Sequence, residues 1–376
     1  MARILKISVI GLFVLVVLAP ILQENLHFVK IAPLQENRPM KERPSDWLGL
    51  FKPGMRFAKG FDEYFNDNYG FRNLLIRLKN QMDFDLFHKS DKVLIGRDGY
   101  LFYKSVVEED EVRIEKISAS RWDRLCSRLL KFNRILASRG ITLVLVPCPM
   151  KNSIYPEKAP ANAPRRPNPT TFQRHLAFLR AHPEIVSVDP FPLLVKLKDS
   201  FQVYYKTDFH WTEAAGAYAA RDLVRRLGSL SGKQGLWDQP IQIDIREAEE
   251  GGEGHSLALL WKLAEMAPFP AGAGMDEKRG SYNDGRNAYE WTYTSKLQDK
   301  SGLIPDTVMF GDSYSDAFLR AGFAGYFSKI QRYFNWDFSR TYYKIPDGVR
   351  FVILQYCEPV IMLDHEPFWP KELRND

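Results

Sequence analysis

Cysteine is scarce in this chain: Cys126, Cys148 and Cys357 are the only three among 376 residues. At most one bridge can form, which excludes a disulfide-stapled scaffold. No C-x-x-C or H-E-x-x-H spacing occurs, so the common zinc arrangements are missing and neither a metal nor another cofactor is expected. Long runs of one charge are absent too, and the net charge is only +6. A mildly basic chain suits membrane headgroups or an acidic polysaccharide, and without a basic run nucleic acid is not among the expected partners. No internal repeat is evident. What is abundant is apolar sequence, 45% of residues against 26% charged, the profile of a folded chain. Aromatics reach 13%, enough for a large core or for a sugar-stacking surface. The length allows one large domain or two ordinary ones.

One long apolar run stands out. Arg3 and Lys6 precede Ile7–Leu22, which is interrupted only by Ser8, Gly11 and Pro20. Sixteen helical residues span about 24 Å, slightly short of a ~30 Å hydrocarbon core. A cleaved signal peptide and an uncleaved signal anchor both fit. No small-x-small cleavage site follows, which favours an anchor over residues 1–30. Basic residues on the short N-terminal side keep that side in the cytoplasm. The remainder is then expected in the periplasm, attached to the bacterial inner membrane. Residues 31–60, rich in Pro, Lys and Glu, read as a juxtamembrane linker before a domain at 61–376.

The rest reads as α/β. Phe71, Leu74, Leu75, Leu78 and Met82 follow helical spacing. Val93–Ile95 and Tyr100–Tyr103 flank Gly96-Arg97-Asp98-Gly99 as a hairpin. A helix over about Ala119–Ser138 ends near Gly140. Ile141–Val146 is a nearly continuous apolar run, as in a strand buried on both faces of a parallel sheet. The rhythm repeats with a helix at Phe172–Ala181, a strand at Ile185–Val188, a helix at Glu213–Leu227 and strands at Asp306–Phe310 and Arg350–Leu354. Such alternation predicts a parallel sheet flanked by helices. Residues 229–300 lack clear rhythm and read as an insertion that forms a lid or substrate wall. Pro160, Pro164, Pro167 and Pro169 mark a loop.

Two short motifs carry chemistry. In Gly311-Asp312-Ser313-Tyr314-Ser315, a strand ends, a glycine permits a tight turn and a serine opens a helix. That geometry exposes a hydroxyl and offers main-chain N–H groups to an oxyanion, although Ser313 or Ser315 acting as a helix cap fits the same pattern. In Asp208-Phe209-His210-Trp211, the two-residue spacing on an extended segment points Asp208 and His210 to one side. The carboxylate can then orient the imidazole as a base. Together the motifs supply nucleophile, base and orienter. Thr212 reads as the cap of the next helix. Lys151 follows a buried strand, where ligand sites of α/β folds gather, so it is a candidate substrate contact as well as a loop support. Tyr314 fits an acyl pocket or simple packing. Trp211 fits a sugar platform or, with more weight, the core.

Asp208-Phe209-His210-Trp211, followed about 100 residues later by Gly311-Asp312-Ser313-Tyr314-Ser315, resembles the alginate O-acetyltransferase family of AlgJ and AlgX proteins. The likeness runs from about Phe61 to Glu358. It includes Tyr64-Phe65-Asn66-Asp67, Gly70-Phe71-Arg72, Gly99-Tyr100-Leu101-Phe102, Pro149-Met150-Lys151-Asn152 and Ile154-Tyr155-Pro156. The resemblance implies an SGNH-hydrolase-like fold with Ser313 as nucleophile, His210 as general base and Asp208 as its orienter. It further implies acetylation of an exopolysaccharide such as alginate, beside a membrane-bound O-acyltransferase that supplies acetyl groups. Two departures are visible. Gln355-Tyr356-Cys357-Glu358-Pro359 lacks the Glu-Arg ending of the family, and the chain to Asp376 leaves no room for a carbohydrate-binding module. Two other functions remain compatible with the sequence: an acetyl esterase acting on polysaccharide, and a noncatalytic polysaccharide-binding scaffold of an export complex.

Overall fold

A computed structural model describes residues 2–34, 39–42, 55–107, 119–163, 168–272, 280–284, 290–357 and 368–374. Several expectations fall outside them: most of the 31–60 linker (35–38 and 43–54), Pro164 and Pro167 of the proline loop, and Glu358 and Pro359 of the family-departing segment. The chain forms two compact units, 1–91 with 254–263, and 92–253 with 264–376.

Among the described residues the first unit includes the helices α1 (Ala2–Leu26), α2 (Met55–Asn68) and α3 (Arg72–Phe87). The helix extends further than the sixteen-residue apolar run: Ile4–Leu26 forms 23 residues of continuous helix, with an 18-residue stretch of mean hydropathy 2.7. At 1.5 Å per residue the 23 residues span about 34 Å, long enough to cross a bilayer. Residues 55–60, expected in a linker, open α2 instead. Residues 61–91, expected in the C-terminal domain, belong to this unit. The reason is local: Tyr64 Oη donates to Glu24 Oε1, Gly70 sits against the Pro20 carbonyl too closely for a Cβ, and Phe71 meets Phe28 edge-on at 6.0 Å.

The second unit is built on a seven-stranded sheet. Its strands are β3 (Thr142–Cys148), β4 (Val186–Ser187), β7 (Gly280–Asp284), β8 (Trp291–Ser295), β9 (Thr307–Gly311), β10 (Lys329–Phe334) and β11 (Phe351–Cys357), in the order β4-β3-β11-β9-β10-β8-β7. The first five in that order are parallel, whereas β8 and β7 add antiparallel at one edge. Two hairpins lie outside it: β1 (Val93–Ile95) with β2 (Leu101–Tyr103), and β5 (Ile243–Ala248) with β6 (Glu265–Pro270). The continuous apolar runs of β9 and β11 are buried at every residue. Each fully buried Val, Leu, Ile or Phe there contributes about 1.5–3 kcal/mol.

The principal helices are α4 (Ala119–Ser138), α5 (Thr171–Ala181) and α6 (Glu213–Leu230). Leu125, Leu129, Phe132 and Leu136 form the buried stripe of α4, and Gly140, at φ 72°, lets the chain leave it. A capping box of Thr170 and Gln173 starts α5. The 229–300 segment is not one insertion. It supplies β5 and β6 and lends β7 and β8 to the central sheet, while 273–279 and 285–289 lie outside the described residues. In β8 burial alternates residue by residue along Trp291-Thr292-Tyr293-Thr294-Ser295, the signature of a strand wet on one face.

Candidate active site

Ser313 stands just beyond the C-terminal end of β9, a central strand, where ligands gather in parallel sheets. Asp208 and His210 lie in the loop entering α6. The segment is a tight loop rather than the extended stretch expected, for Asp208 Oδ1 also accepts the His210 backbone N–H at 2.8 Å. The ring still faces the same oxygen: His210 Nδ1 lies 2.6 Å from Asp208 Oδ1, and His210 Nε2 lies 2.7 Å from Ser313 Oγ. Burial opposes the charged form of Asp208, yet the hydrogen bond and charge of His210 outweigh it and hold the carboxyl down at about 2. An ionised carboxylate only accepts, so Nδ1 carries the ring proton and Nε2 is left to accept from the serine hydroxyl. Burial works against a charged His210, but Asp208 overrides it and, with Asp312 and Asp316, raises its pKa above the ordinary value. The Asp208 and His210 side chains remain 18% and 25% exposed, so the line of three groups opens to solvent.

Two sets of contacts bring the loops together. Thr212 caps α6 by accepting from Ala215 N at 3.4 Å, and the short helix Asp316–Arg320 follows the serine turn. Gly216 of α6 meets Ala317 so closely that a Cβ would overlap it, and Glu213 Oε1 accepts from Arg320 Nε at 2.8 Å. The second set involves two residues expected to touch substrate. Trp211 Nε1 donates to the Tyr314 carbonyl at 3.0 Å, and Tyr314 Oη donates to the Phe209 carbonyl at 2.8 Å. Trp211 is 1% exposed and Tyr314 0%. Neither faces solvent as a sugar platform or pocket wall; each ties the His210 loop to the Ser313 turn from inside.

Lys151, the third expected contact, is also buried. It opens the short helix Lys151–Ile154 after β3. Its Nζ reaches the carbonyls of Asp208 (2.9 Å), Lys206 (3.1 Å) and Tyr205 (3.2 Å), and Glu253 Oε1 at 3.3 Å. It therefore braces the loop that carries Asp208. Burial pushes Lys151 down and Glu253 up, the latter to about 7 despite the neighbouring ammonium. Glu265 holds the same loop from another side, accepting from Thr207 N at 3.0 Å and Thr207 Oγ1 at 2.9 Å.

Several residues missed by sequence reasoning complete the frame. Gly252 N donates to Asp208 Oδ2 at 2.9 Å, and Gly251 packs on that carboxylate with no room for a Cβ. Beneath the serine turn, buried Asp312 accepts from Gln355 Nε2 (2.7 Å), Cys357 N (2.8 Å) and Tyr314 N (3.0 Å). Arg332 of β10, 1% exposed, donates to the Asp312 carbonyl at 2.7 Å and pairs with Asp316 at 2.6 Å. A signal existed for one of them: Gln355 is a polar interruption of the otherwise apolar β11. Gln355, within the segment that departs from the family ending, is thus a support of the Ser313 turn. Among the described residues no group of three or more His, Cys, Asp or Glu is placed to hold a metal.

The family model of the SGNH hydrolase-like domain, acetyltransferase AlgX, matches residues 93–331. The chain belongs to this family. The probable alginate O-acetylase AlgJ of Pseudomonas aeruginosa is 29% identical over 188 residues, 50% of this chain and 45% of that protein. Its counterpart from Pseudomonas syringae pv. tomato is 25% identical over 199 residues, 53% and 49%. The chain thus spans about half the length of the curated relatives it matches. Among solved structures, the O-acetyltransferase domain of Pseudomonas putida AlgJ is similar at a TM-score of 0.47 and 16% identity, over 76% of this chain and 95% of that one. Pseudomonas aeruginosa AlgX is similar at a TM-score of 0.45 and 17% identity, over 73% and 65%.

Proposed function

We propose that the chain is a polysaccharide O-acetyltransferase that works through Ser313, His210 and Asp208. The observation that carries this reading is the continuous hydrogen-bonded line from Asp208 through His210 to Ser313 at 2.6 and 2.7 Å. Ser313 Oγ attacks the carbonyl carbon of an acetyl donor while His210 Nε2 takes its proton. The Ser313 N–H, first of the turn Ser313–Ser315 and so without an intrahelical acceptor, is the oxyanion donor in this reading. Collapse of the tetrahedral adduct expels the donor's leaving group, which takes the proton from His210. A sugar hydroxyl then attacks the acetyl-serine, gives its proton to His210, and leaves as the acetyl ester while Ser313 Oγ recovers the proton. Asp208 stays ionised throughout and stabilises the imidazolium.

The names of the AlgJ relatives support an exported polysaccharide such as alginate as acceptor. The apolar helix α1 supports an anchor in the inner membrane, with the triad on the periplasmic side. A membrane-bound O-acyltransferase is the partner that delivers acetyl groups there. The test is an acetyl-donor assay on the full chain with and without alginate. Ester appearing on polymer, dependent on Ser313, is the expected result. Free acetate unaffected by polymer would make the protein an esterase. Polymer binding without turnover would leave a scaffold.

A further inference from the structure

Helix α3 is turned inside out for a soluble protein. Three of its polar side chains, those of Arg77, Asn80 and Gln81, point into the first unit. Arg77 donates to the carbonyls of Leu259 and Pro33 at 2.7 and 3.0 Å, and Asn80 donates to that of Leu257 at 2.8 Å. Gln81 accepts the backbone N–H groups of Leu260 and Trp261. The opposite face carries Leu75, Leu78, Met82 and Leu86, which fall within about 80° of one another on a helix turning about 100° per residue. These four are 50%, 44%, 50% and 65% exposed, and Phe87 and Trp261 of the same unit are also exposed. Among the described residues nothing covers this face. A contiguous apolar stripe of this kind marks an interaction surface rather than a scatter of surface leucines.

Its position within the unit selects the occupant. The turn between α2 and α3 packs on α1 at Pro20 and Glu24, and Tyr64 of α2 bonds Glu24. Pro20 lies two residues before Leu22, the end of the apolar run, and Glu24 two residues after it, so the contact straddles that end within about 3 Å along the helix axis. Helices that lie in a membrane interface bury their apolar face about 5–10 Å into the headgroup–acyl boundary. Apart from the inward-pointing Arg77, residues 72–89 carry Arg72, Lys79 and Lys89 against Asp83 and Asp85, with Lys79 and Lys89 both on Asp83, a small net positive charge that suits anionic headgroups. We propose that the Leu75–Leu78–Met82–Leu86 face of α3 lies on the lipid surface of the membrane that α1 crosses, as a second, interfacial attachment. This rests on the reading of α1 as an anchor.

The test uses the full-length protein in vesicles of phosphatidylethanolamine and phosphatidylglycerol, with or without brominated acyl chains. A Cys126→Ser background is labelled with an environment-sensitive fluorophore at Leu78→Cys, Met82→Cys or, within α1, Val14→Cys; Cys148 and Cys357 are buried. The expected result is a blue-shifted emission, quenched by brominated lipid, at all three positions. Water-exposed, unquenched probes at Leu78 and Met82 beside a quenched probe at Val14 would overturn the proposal. That outcome leaves the anchor intact and points to a protein partner for the face. An unquenched probe at Val14 would remove the anchor and, with it, the proposal as a second attachment; quenching at the α3 positions alone would then make the stripe a lipid contact independent of α1.

Discussion

Replacing Asp208 by Asn removes one acceptor from a carboxylate that holds three N–H groups. Oδ1 takes the ring and backbone N–H of His210 at 2.6 and 2.8 Å, and Oδ2 takes Gly252 N at 2.9 Å. A carboxamide offers one oxygen and one NH2. With the oxygen toward His210, the NH2 meets the Gly252 N–H. With the oxygen toward Gly252, the NH2 faces Nδ1, which must become the acceptor; the ring proton moves to Nε2 and opposes the serine hydroxyl. The second placement also leaves the His210 amide against the NH2. Each placement strands one donor at about 1–3 kcal/mol, so nothing favours the productive tautomer. Loss of rate in a comparable triad is about 10⁴-fold, or about 5 kcal/mol of barrier.

Stability carries a second signature of the same pair. The Asp208 carboxyl falls from 3.8 to about 2, worth about 2 kcal/mol. This contribution is present above the unfolded carboxyl value and is lost as pH falls through about 2. The raised pKa of His210 describes the same attraction, counted once, which fades as pH rises through the folded His210 value. The gap in unfolding free energy between wild type and Asp208→Asn is therefore widest from about pH 4 to 6.5. Urea titrations across pH, beside rates of release from a chromogenic acetyl ester, measure both effects. An Asn variant with the wild-type rate, or a stability gap unchanged between pH 3 and pH 8, would refute the pairing described.

Four further outcomes are expected. Ser313→Ala should abolish acetyl transfer with a stability change under about 1 kcal/mol, whereas Ser315→Ala should keep most activity and lose about 1 kcal/mol with its bond to the Asp312 carbonyl; paired kinetics and thermal melts check both. Lys151→Met should destabilise by about 3–5 kcal/mol, since it strands three loop carbonyls and a buried carboxylate. Glu253→Gln, which imitates an acid already raised to about 7, should shift the urea midpoint far less. Gly251→Ala should lower transfer by displacing the Asp208 carboxylate while leaving Ser313 and His210 unchanged, a loss read in kcat. The rate should fall on the acid side, centred above the ordinary histidine value of 6.5, because a raised His210 pKa protonates the base earlier as pH falls; a pH–rate profile places the limb.

The framework was legible where one physical signal dominated. Strands β3, β9 and β11 are buried on both faces, so their runs are almost continuously apolar, and the glycine that ends β9 with the serine two residues on announces a sharp strand-to-helix turn. The Asp208–His210 contact was legible because two residue types at close spacing can form one hydrogen bond. The antiparallel edge was harder: β7 and β8 are short, and β8 shows only five residues of alternation between stretches rich in polar residues. The boundary at residue 61 failed for a different reason. The apolar spacing of α3 was read correctly as helical, but spacing reports a helix face without saying which way the face points.

Lys151 was weighed as a substrate contact because it follows a buried strand, and Trp211 and Tyr314, weighed also as core, because they lie within the motifs; in the folded chain all three do structural work. The proposed triad, drawn from two loops about 100 residues apart in sequence, needs each loop fixed to within a fraction of an ångström. Exposed side chains cannot supply that stiffness, because water competes for every hydrogen bond they make. Buried ones can: the indole of Trp211 and the hydroxyl of Tyr314 each close on a carbonyl of the opposite loop, Lys151 gathers three carbonyls of the Asp208 loop, and Arg332 and Gln355 grip the serine turn from adjacent strands. Local sequence shows such residues only as large or polar side chains where a smaller or apolar one would pack as well. Their partners lie up to 105 positions away, so the hydrogen bonds that define their work exist only once the sheet has brought β9, β10 and β11 side by side.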